Sequence, residues 1–226
     1  PELGPAASDA ATQALAARYE SDVFWAAVGS IPARRVLRRL FGDLSFLHAL
    51  RFLKDRVGVA RQAPRKLLEP SQAAGVFAQH LKSLETILAN GQPFLSGTDP
   101  AYLDLAAYHT LWFTVAVGEI PVPEELLLVQ AWYERMSAFG HGRMREAVAE
   151  DAFTAARDKQ PRPVPAGLVS SPKIGSRVAV RPEDYALDAT AGVLVGVDQQ
   201  RWIVARETPE LGLLHVHFPR RGFELI

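Results

Sequence analysis

The spacing of apolar residues changes at a proline-rich segment, Lys159–Gly167, and this change constrains the fold more than any other feature. Before it, as in Ser71–Asn90, apolar side chains recur every three or four residues, which is the period of an amphipathic helix. After it, as in Arg177–Arg181, they alternate, which is the period of a half-buried strand. The three prolines between favour an extended spacer. We therefore predict a helical domain at 1–158, a linker at 159–171 and a strand-rich domain at 172–226.

Helix signals divide the first domain into separate segments. Ser8 and Asp9 can cap a first helix that runs toward Trp25. The further predicted helices cover Ile31–Arg61 with a break near Gly42, Ser71–Asn90, a segment ending near Val117, a segment from Pro121 to Met136, and Arg143–Arg157. Five short strands are predicted in the second domain, at Arg177–Arg181, Gly192–Val197, Trp202–Arg206, Leu213–Phe218 and Gly222–Ile226. Gly, Pro and Asp between these strands indicate a small barrel.

Composition excludes several classes of function. The 226 residues contain 25 basic and 25 acidic side chains, so no net charge draws the chain to nucleic acid or to a membrane surface. The chain has no cysteine, which rules out disulfides, thiolate metal sites and a thiol nucleophile within it. No apolar run approaches the roughly 20 residues that span a bilayer. We expect a soluble, cytoplasmic protein of bacterial type, with neither a membrane nor a nucleic acid as its partner.

One short stretch, Phe94–Tyr108, combines a turn, a helix start and an acidic residue in a fixed register. Gly97 marks the turn. Asp99 can accept hydrogen bonds from the first free N–H groups of a helix, and Pro100 suits the first helical position, where its missing N–H costs nothing. Asp104 begins a strongly apolar run. The stretch predicts the start of a buried helix rather than a catalytic motif.

This register resembles the start of the central helix in the C-terminal domain of glutathione transferases, where a Ser/Thr-x-x-Asp capping box precedes a run like Asp104–Tyr108. Ala101 stands where the family has the capping Ser or Thr, so Asp99 is expected to cap instead. Trp132–Met136 and Gly140–Gly142 resemble segments of one bacterial branch of the family, which also carries a strand-rich C-terminal extension. The strand spacing of that extension resembles an SH3-like module.

The resemblance implies a mainly α protein, in which a glutathione transferase C-terminal-like helical bundle precedes a small SH3-like β-barrel. It also implies an N-terminal thioredoxin-like domain that binds glutathione through a Tyr, Ser or Cys. No such domain is found between Pro1 and Ile226, and the turn-rich opening reads like an interdomain linker. We therefore expect this chain to be inactive alone, with glutathione bound mainly outside it. The implied partners are a hydrophobic small-molecule electrophile and, where the intact protein dimerises, a second copy.

By the same resemblance, two helices line the electrophile pocket. The implied pocket residues are Tyr19, Phe24, Trp25, Tyr108 and Trp112. Aromatic residues at helical spacing are more often plain core, and that interpretation stays open. Asp99 and Asp104 are expected to be structural capping residues, and no residue of this chain is predicted to be catalytic. An alternative function is a non-catalytic protein-interaction scaffold, because helical domains of this family also serve in translation assemblies.

Two further side-chain groups were weighed as sites. The first is a basic helical face made of Arg34, Arg35, Arg38 and Arg39, continued by Arg51, Lys54, Arg56, Arg61, Arg65 and Lys66. It could hold an anionic ligand, although a solvated face or pairing with the missing domain is the simpler interpretation. The second is His215 and His217, which share one face of a strand but lack a nearby third ligand, so surface or packing roles are favoured over a metal site.

Overall fold

The computed structural model describes residues 8–63, 68–169, 171 and 173–226. Its helices are α1 (Ala10–Arg18), α2 (Phe24–Ser30), α3 (Ala33–Asp43), α4 (Phe46–Gln62), α5 (Pro70–Leu88), α6 (Tyr102–Trp112), α7 (Leu127–Ser137) and α8 (Ala149–Asp158). π-helical turns at Tyr19–Val23 and Phe113–Val117 join α1 to α2 and extend α6. No described helix is long and apolar enough to cross a bilayer.

Several predicted helix boundaries are correct and others move. The Asp9 carboxylate caps α1 by accepting the Thr12 N–H at 2.8 Å. α3 ends at Asp43, where the break was predicted. α7 begins at Leu127 rather than at Pro121, because a proline disfavours helical backbone in the residue before it and Pro123 prolongs that effect. α8 likewise begins at Ala149, six residues after Arg143.

The described chain separates into two compact units. The first contains α1 to α3, the beginning of α4 as far as Leu50, and α5 to α7 up to Arg143. The second contains the rest of α4 from Arg51 and the residues from Met144 onward. α8, which the sequence analysis assigned to the helical domain, thus belongs to the same unit as the strands.

α6 lies at the centre of the first unit. Six of its eleven residues are buried, among them Leu103, Ala107 and Leu111. They pack with the π-helical turn at Tyr19–Val23, with α5 and with α7 in one continuous apolar core. Apolar burial of this kind stabilises a fold by about 25 cal/mol per Å². The core therefore fixes the orientation of α6 and of every side chain it carries.

The second unit contains an antiparallel sheet of five strands, as predicted. The strands are β1 (Arg177–Pro182), β2 (Thr190–Val197), β3 (Arg201–Thr208), β4 (Gly212–Pro219) and β5 (Phe223–Leu225), in the order β4-β3-β2-β1-β5. β4 and β5 form the two edges within the described residues, so the sheet is open where a closed barrel was predicted. Buried Val180, Leu194, Trp202 and Val204 form its core. A Cβ at Gly192 would lie 2.3 Å from the Ala205 carbonyl oxygen, so this crossing of β2 and β3 requires glycine.

Candidate functional site

The buried carboxylate of Asp104 organises the beginning of α6. One oxygen, Oδ2, accepts the Ala101 N–H at 3.1 Å. The other, Oδ1, accepts the Leu95 N–H at 2.7 Å and the indole N–H of Trp132 at 2.9 Å. The side chain is 0% exposed. Because both oxygens are occupied and no solvent reaches them, Asp104 is placed to join the preceding turn, α6 and α7 rather than to react with a substrate.

The turn before α6 has a different geometry from the one its sequence suggested. Gly97 exchanges two backbone hydrogen bonds with Phe94, at 3.1 and 3.2 Å, and has a φ of 123°, which favours glycine. α6 begins at Tyr102 with Ala101 in the capping position, so Pro100 precedes the helix. Asp99 is exposed, and its carboxylate accepts the Thr98 hydroxyl at 3.1 Å. The carboxylate that reaches the start of the helix belongs to Asp104.

The structure places the five aromatic residues of the predicted pocket in several different environments. Tyr19 is 3% exposed and meets the His80 ring edge-on at 4.5 Å, inside the core. Burial raises the pKa of its hydroxyl. Tyr108 faces α7, where it stacks on Tyr133 at 5.3 Å and its hydroxyl lies 3.1 Å from the Ser137 hydroxyl. Tyr19 and Tyr108 are thus held by core and interhelical contacts.

Phe24 and Trp25 belong to an aromatic cluster that also contains His109 and Phe113. The Phe24 ring stacks on the His109 imidazole at 4.5 Å with an angle of 13° between the planes. Trp25 and Phe113 each meet Phe24 edge-on at 5.5 Å. Burial lowers the pKa of His109, with Glu20 opposing the shift, so the neutral imidazole is favoured at pH 7. The aromatic cluster is therefore apolar and uncharged at that pH.

The solvent-facing side of α6 carries further apolar side chains next to His109 of the aromatic cluster. Leu105 is 42% exposed and Trp112 is 39% exposed. They are seven residues apart, with exposed His109 between them, and so share one face of the helix. We call Leu105, His109 and Trp112 the exposed stripe of α6. α6 thus has apolar residues on its solvent side as well as on its core side. An exposed apolar face of this kind is typical of a surface that another element covers.

His109 and Phe113 were not predicted from the sequence as site residues. Their spacing of four along α6 and its π-helical extension was the available signal, since it places them one above the other. The signal is weak, because the same spacing occurs in any helix with a buried face. Only the stacking of Phe24, from a second helix, distinguishes His109 and Phe113 from an ordinary pair of residues at this spacing.

The first unit also contains an apolar cavity of about 210 Å³, whose lining includes no residue of the aromatic cluster. It is lined by Ser30, Ala74, Phe77, Ala78, Leu81, Leu111, Thr114, Val115, Ile120, Pro121, Val122 and Pro123. None of these residues is titratable, and the five predicted pocket residues are not among them. The Thr114 hydroxyl donates to the Leu111 carbonyl at 3.0 Å, so the cavity presents little free polar chemistry.

Three arginines of the basic face are occupied by contacts within the protein. Arg35 donates to the carbonyl oxygens of Gly118, at 3.4 Å, and Glu119, and Arg38 pairs with the Glu119 carboxylate. Arg39 donates to the carbonyl oxygens of Ala116 and Val117. These three guanidinium groups, which we call the arginine clasp, bind at the end of the α6 extension, where the helix dipole is negative. Arg35 and Arg39 bind backbone carbonyls there, and Arg38 binds the Glu119 carboxylate. Arg65 and Lys66 lie outside the described residues.

His215 and His217 lie on β4, opposite Ala205 and Ile203 of β3. Burial is the main cause that lowers the pKa of His217. The described residues contain no group of three or more His, Asp or Glu side chains placed to hold a metal ion. His215 and His217 are therefore only two imidazoles on the same strand.

Comparison with known proteins bears on the fold. No protein-family model matches the chain, and no curated protein does. A solved structure does match, that of a GST-like protein from Pseudomonas syringae, with a TM-score of 0.73 and 25% sequence identity over 100% of this chain and 70% of that one. The chain thus has a glutathione S-transferase-like (GST-like) fold.

Proposed function

We propose that this chain is the helical part, with a β-sheet extension, of a glutathione transferase-like enzyme, and that its aromatic cluster binds the hydrophobic electrophile. The observation that carries the proposal is the stack of Phe24 on His109 beside the exposed stripe of α6. Of the five residues implied by family resemblance, Phe24, Trp25 and Trp112 belong to this surface. Tyr19 packs with His80 in the core and Tyr108 packs with Tyr133 of α7, so they are proposed to hold the helices that carry this surface.

The surface suits an apolar ligand better than it suits glutathione. Glutathione carries two carboxylates and an amine, whereas the aromatic cluster offers ring faces and a neutral imidazole. Glutathione, held by a thioredoxin-like domain outside this chain, would supply the thiolate. The residues of this chain would hold a flat electrophile against Phe24 and Trp25, and the exposed stripe of α6 would help exclude water. By the same resemblance, the intact protein is proposed to be a cytoplasmic homodimer.

The proposal is tested by titrating this chain with 1-chloro-2,4-dinitrobenzene, a flat aromatic electrophile, in a calorimeter. Phe24→Ala should weaken binding several-fold, because it removes the central ring of the cluster. Phe139→Ala is the matched control, since Phe139 is 57% exposed and contacts Phe94 instead. Equal losses in the two variants would exclude the aromatic cluster as the binding surface. Strong retention of this chain on glutathione-agarose would contradict the placement of the glutathione site outside it.

A second candidate function is a non-catalytic interaction scaffold, and the second unit favours it. Its last strand, β5, pairs with its first, β1, which supports an SH3-like arrangement of the five strands. No described strand pairs with the outer side of its long edge strand, β4. The two candidates separate on the reading frame: an upstream thioredoxin-like domain with a Tyr, Ser or Cys near its first turn favours the enzyme. A start codon directly before Pro1 would eliminate it.

A further inference from the structure

The outer edge of β4 is a long unpaired strand edge. β4 pairs with β3 at all eight positions, from Gly212 opposite Thr208 to Pro219 opposite Arg201. No strand of the described chain pairs with its other side. The opposite edge of the sheet, β5, is only three residues long. A long edge leaves a row of backbone N–H and C=O groups available to another extended chain, which proteins normally prevent with short or covered edges.

A groove of about 600 Å³ runs along this edge. Five consecutive residues, Leu213–His217, line one wall. Successive side chains of a strand point to opposite faces, so five in a row can line one groove only when the groove follows the backbone edge. The other wall consists of Ala155 and Ala156 of α8 and of the segment Lys159–Arg162. The two alanines keep that wall low and leave room beside the strand.

The charged side chains that line the groove are basic. Its lining includes Lys159 and Arg162, together with His215 and His217, and no acidic residue. Neither Lys159 nor Arg162 has an ion-pair or hydrogen-bond partner within the described residues. Their charges are therefore available to a ligand. The aliphatic parts of Leu213 and Val216 supply the apolar contact that accompanies strand addition.

We propose that the β4 edge binds an extended acidic segment of a partner protein, which adds to the sheet as a sixth strand. Backbone hydrogen bonds to β4 provide the affinity, and Lys159 and Arg162 select carboxylate-bearing sequences. A second copy of this chain fits less well, since pairing two β4 edges about a two-fold axis would bring two copies of the same cationic pair, Lys159 and Arg162, together. The groove shares no residue with the aromatic cluster, and its proposed role does not depend on the electrophile proposal.

The test uses a short capped peptide of alternating valine and glutamate, labelled for fluorescence anisotropy. The full chain should bind this peptide in the micromolar range and bind its valine–lysine counterpart about tenfold more weakly, or not at all. A version of the acidic peptide with N-methyl groups at alternate residues should not bind, because it cannot pair with β4. Amide NMR shifts upon binding should be largest within Leu213–His217.

Two protein variants test the charge contribution. The double variant Lys159→Glu and Arg162→Glu should weaken binding of the acidic peptide about tenfold or more, since each loses a favourable charge and gains a repulsive one. Lys173→Glu, at an exposed position before β1, makes the same kind of change outside the groove and should have little effect. Equal affinity for the acidic and basic peptides would overturn the proposal. Binding of the N-methylated peptide would also overturn it, as would concentration-dependent dimers that shift the amides of β4.

Discussion

At the residue scale, Asp104 has the clearest structural role. Its two oxygens accept three N–H groups from three parts of the chain, within a site closed to solvent. Asp104→Asn keeps the volume but replaces one accepting oxygen with an NH₂ group that faces a donor. We expect unfolding free energy to fall by about 2 to 4 kcal/mol, measured by urea denaturation.

Asp99 provides the matched control for this prediction. It has the same carboxylate and lies five residues earlier, but it is exposed and accepts only the Thr98 hydroxyl among the described residues. Asp99→Asn should change the unfolding free energy by less than about 0.5 kcal/mol. If the two variants lost equal stability, the buried network would not be what holds the start of α6.

His80 makes stability depend on pH. It is 5% exposed, packs edge-on against Tyr19 and lies 3.4 Å from the Thr110 hydroxyl. Burial, assisted by Arg18, lowers the pKa of its imidazole from 6.5 to about 4. The unfolded chain therefore takes up a proton first as the pH falls. The contribution of neutral His80 to the unfolding free energy is complete above pH 6.5. It falls by about 3 kcal/mol as the pH is lowered to about 4.

The His80 prediction is checked by comparing the stability of two variants between pH 7 and pH 4. His80→Gln should show a flatter decline than the parent, because the residue that differs in proton uptake is gone. His141→Gln removes one exposed histidine and serves as the control. A parallel decline in parent and His80→Gln would show that other groups cause the acid sensitivity.

The sequence could predict Asp104 but not its full set of partners. The register Ala101 to Asp104 is local, so its helix-start geometry can be deduced from spacing alone. The indole N–H of Trp132 comes from 28 residues away, and the Leu95 N–H depends on the shape of the preceding turn. The same limit explains the aromatic cluster, in which Phe24 was predicted but its stacking partner on α6 was not.

At the scale of elements, α3 and the end of α6 form one structure through the arginine clasp. The sequence shows four arginines on one helical face, but two of them, Arg35 and Arg39, bind backbone carbonyls about 80 residues away. Every residue has a backbone carbonyl, so residue type does not reveal which carbonyl will accept a hydrogen bond. The two π-helical turns were missed for a similar reason, since one extra residue in a turn hardly alters the apolar period.

The arginine clasp should stabilise the C-terminal end of the α6 extension. Replacing Arg35 and Arg39 together by Gln should lower the unfolding free energy by about 1 kcal/mol, and the loss should shrink in high salt, which screens charge. Arg34→Gln is the control, because Arg34 lies on the same helix and has no partner within the described residues. Equal losses for Arg34→Gln and the double variant would indicate a general charge effect of α3.

At the scale of the whole molecule, the change of apolar period located the start of the strands well. It could not show that α8 and the later part of α4 belong to the strand-containing unit, since a helix has the same period whichever core it serves. The five strands were predicted, but the closed barrel inferred from them is not observed, because closure depends on pairing between the edge strands. Such pairing is a long-range property that alternation within one strand does not encode.

Because each unit has its own buried core, we predict two thermal transitions that can be moved separately. Leu84 and Leu194 are matched probes, each a leucine with 0% exposure, one in each core. Leu84→Ala and Leu194→Ala should each destabilise one unit by about 2 to 5 kcal/mol and lower one transition in scanning calorimetry. If either variant lowered both transitions together, the units would unfold as one cooperative structure.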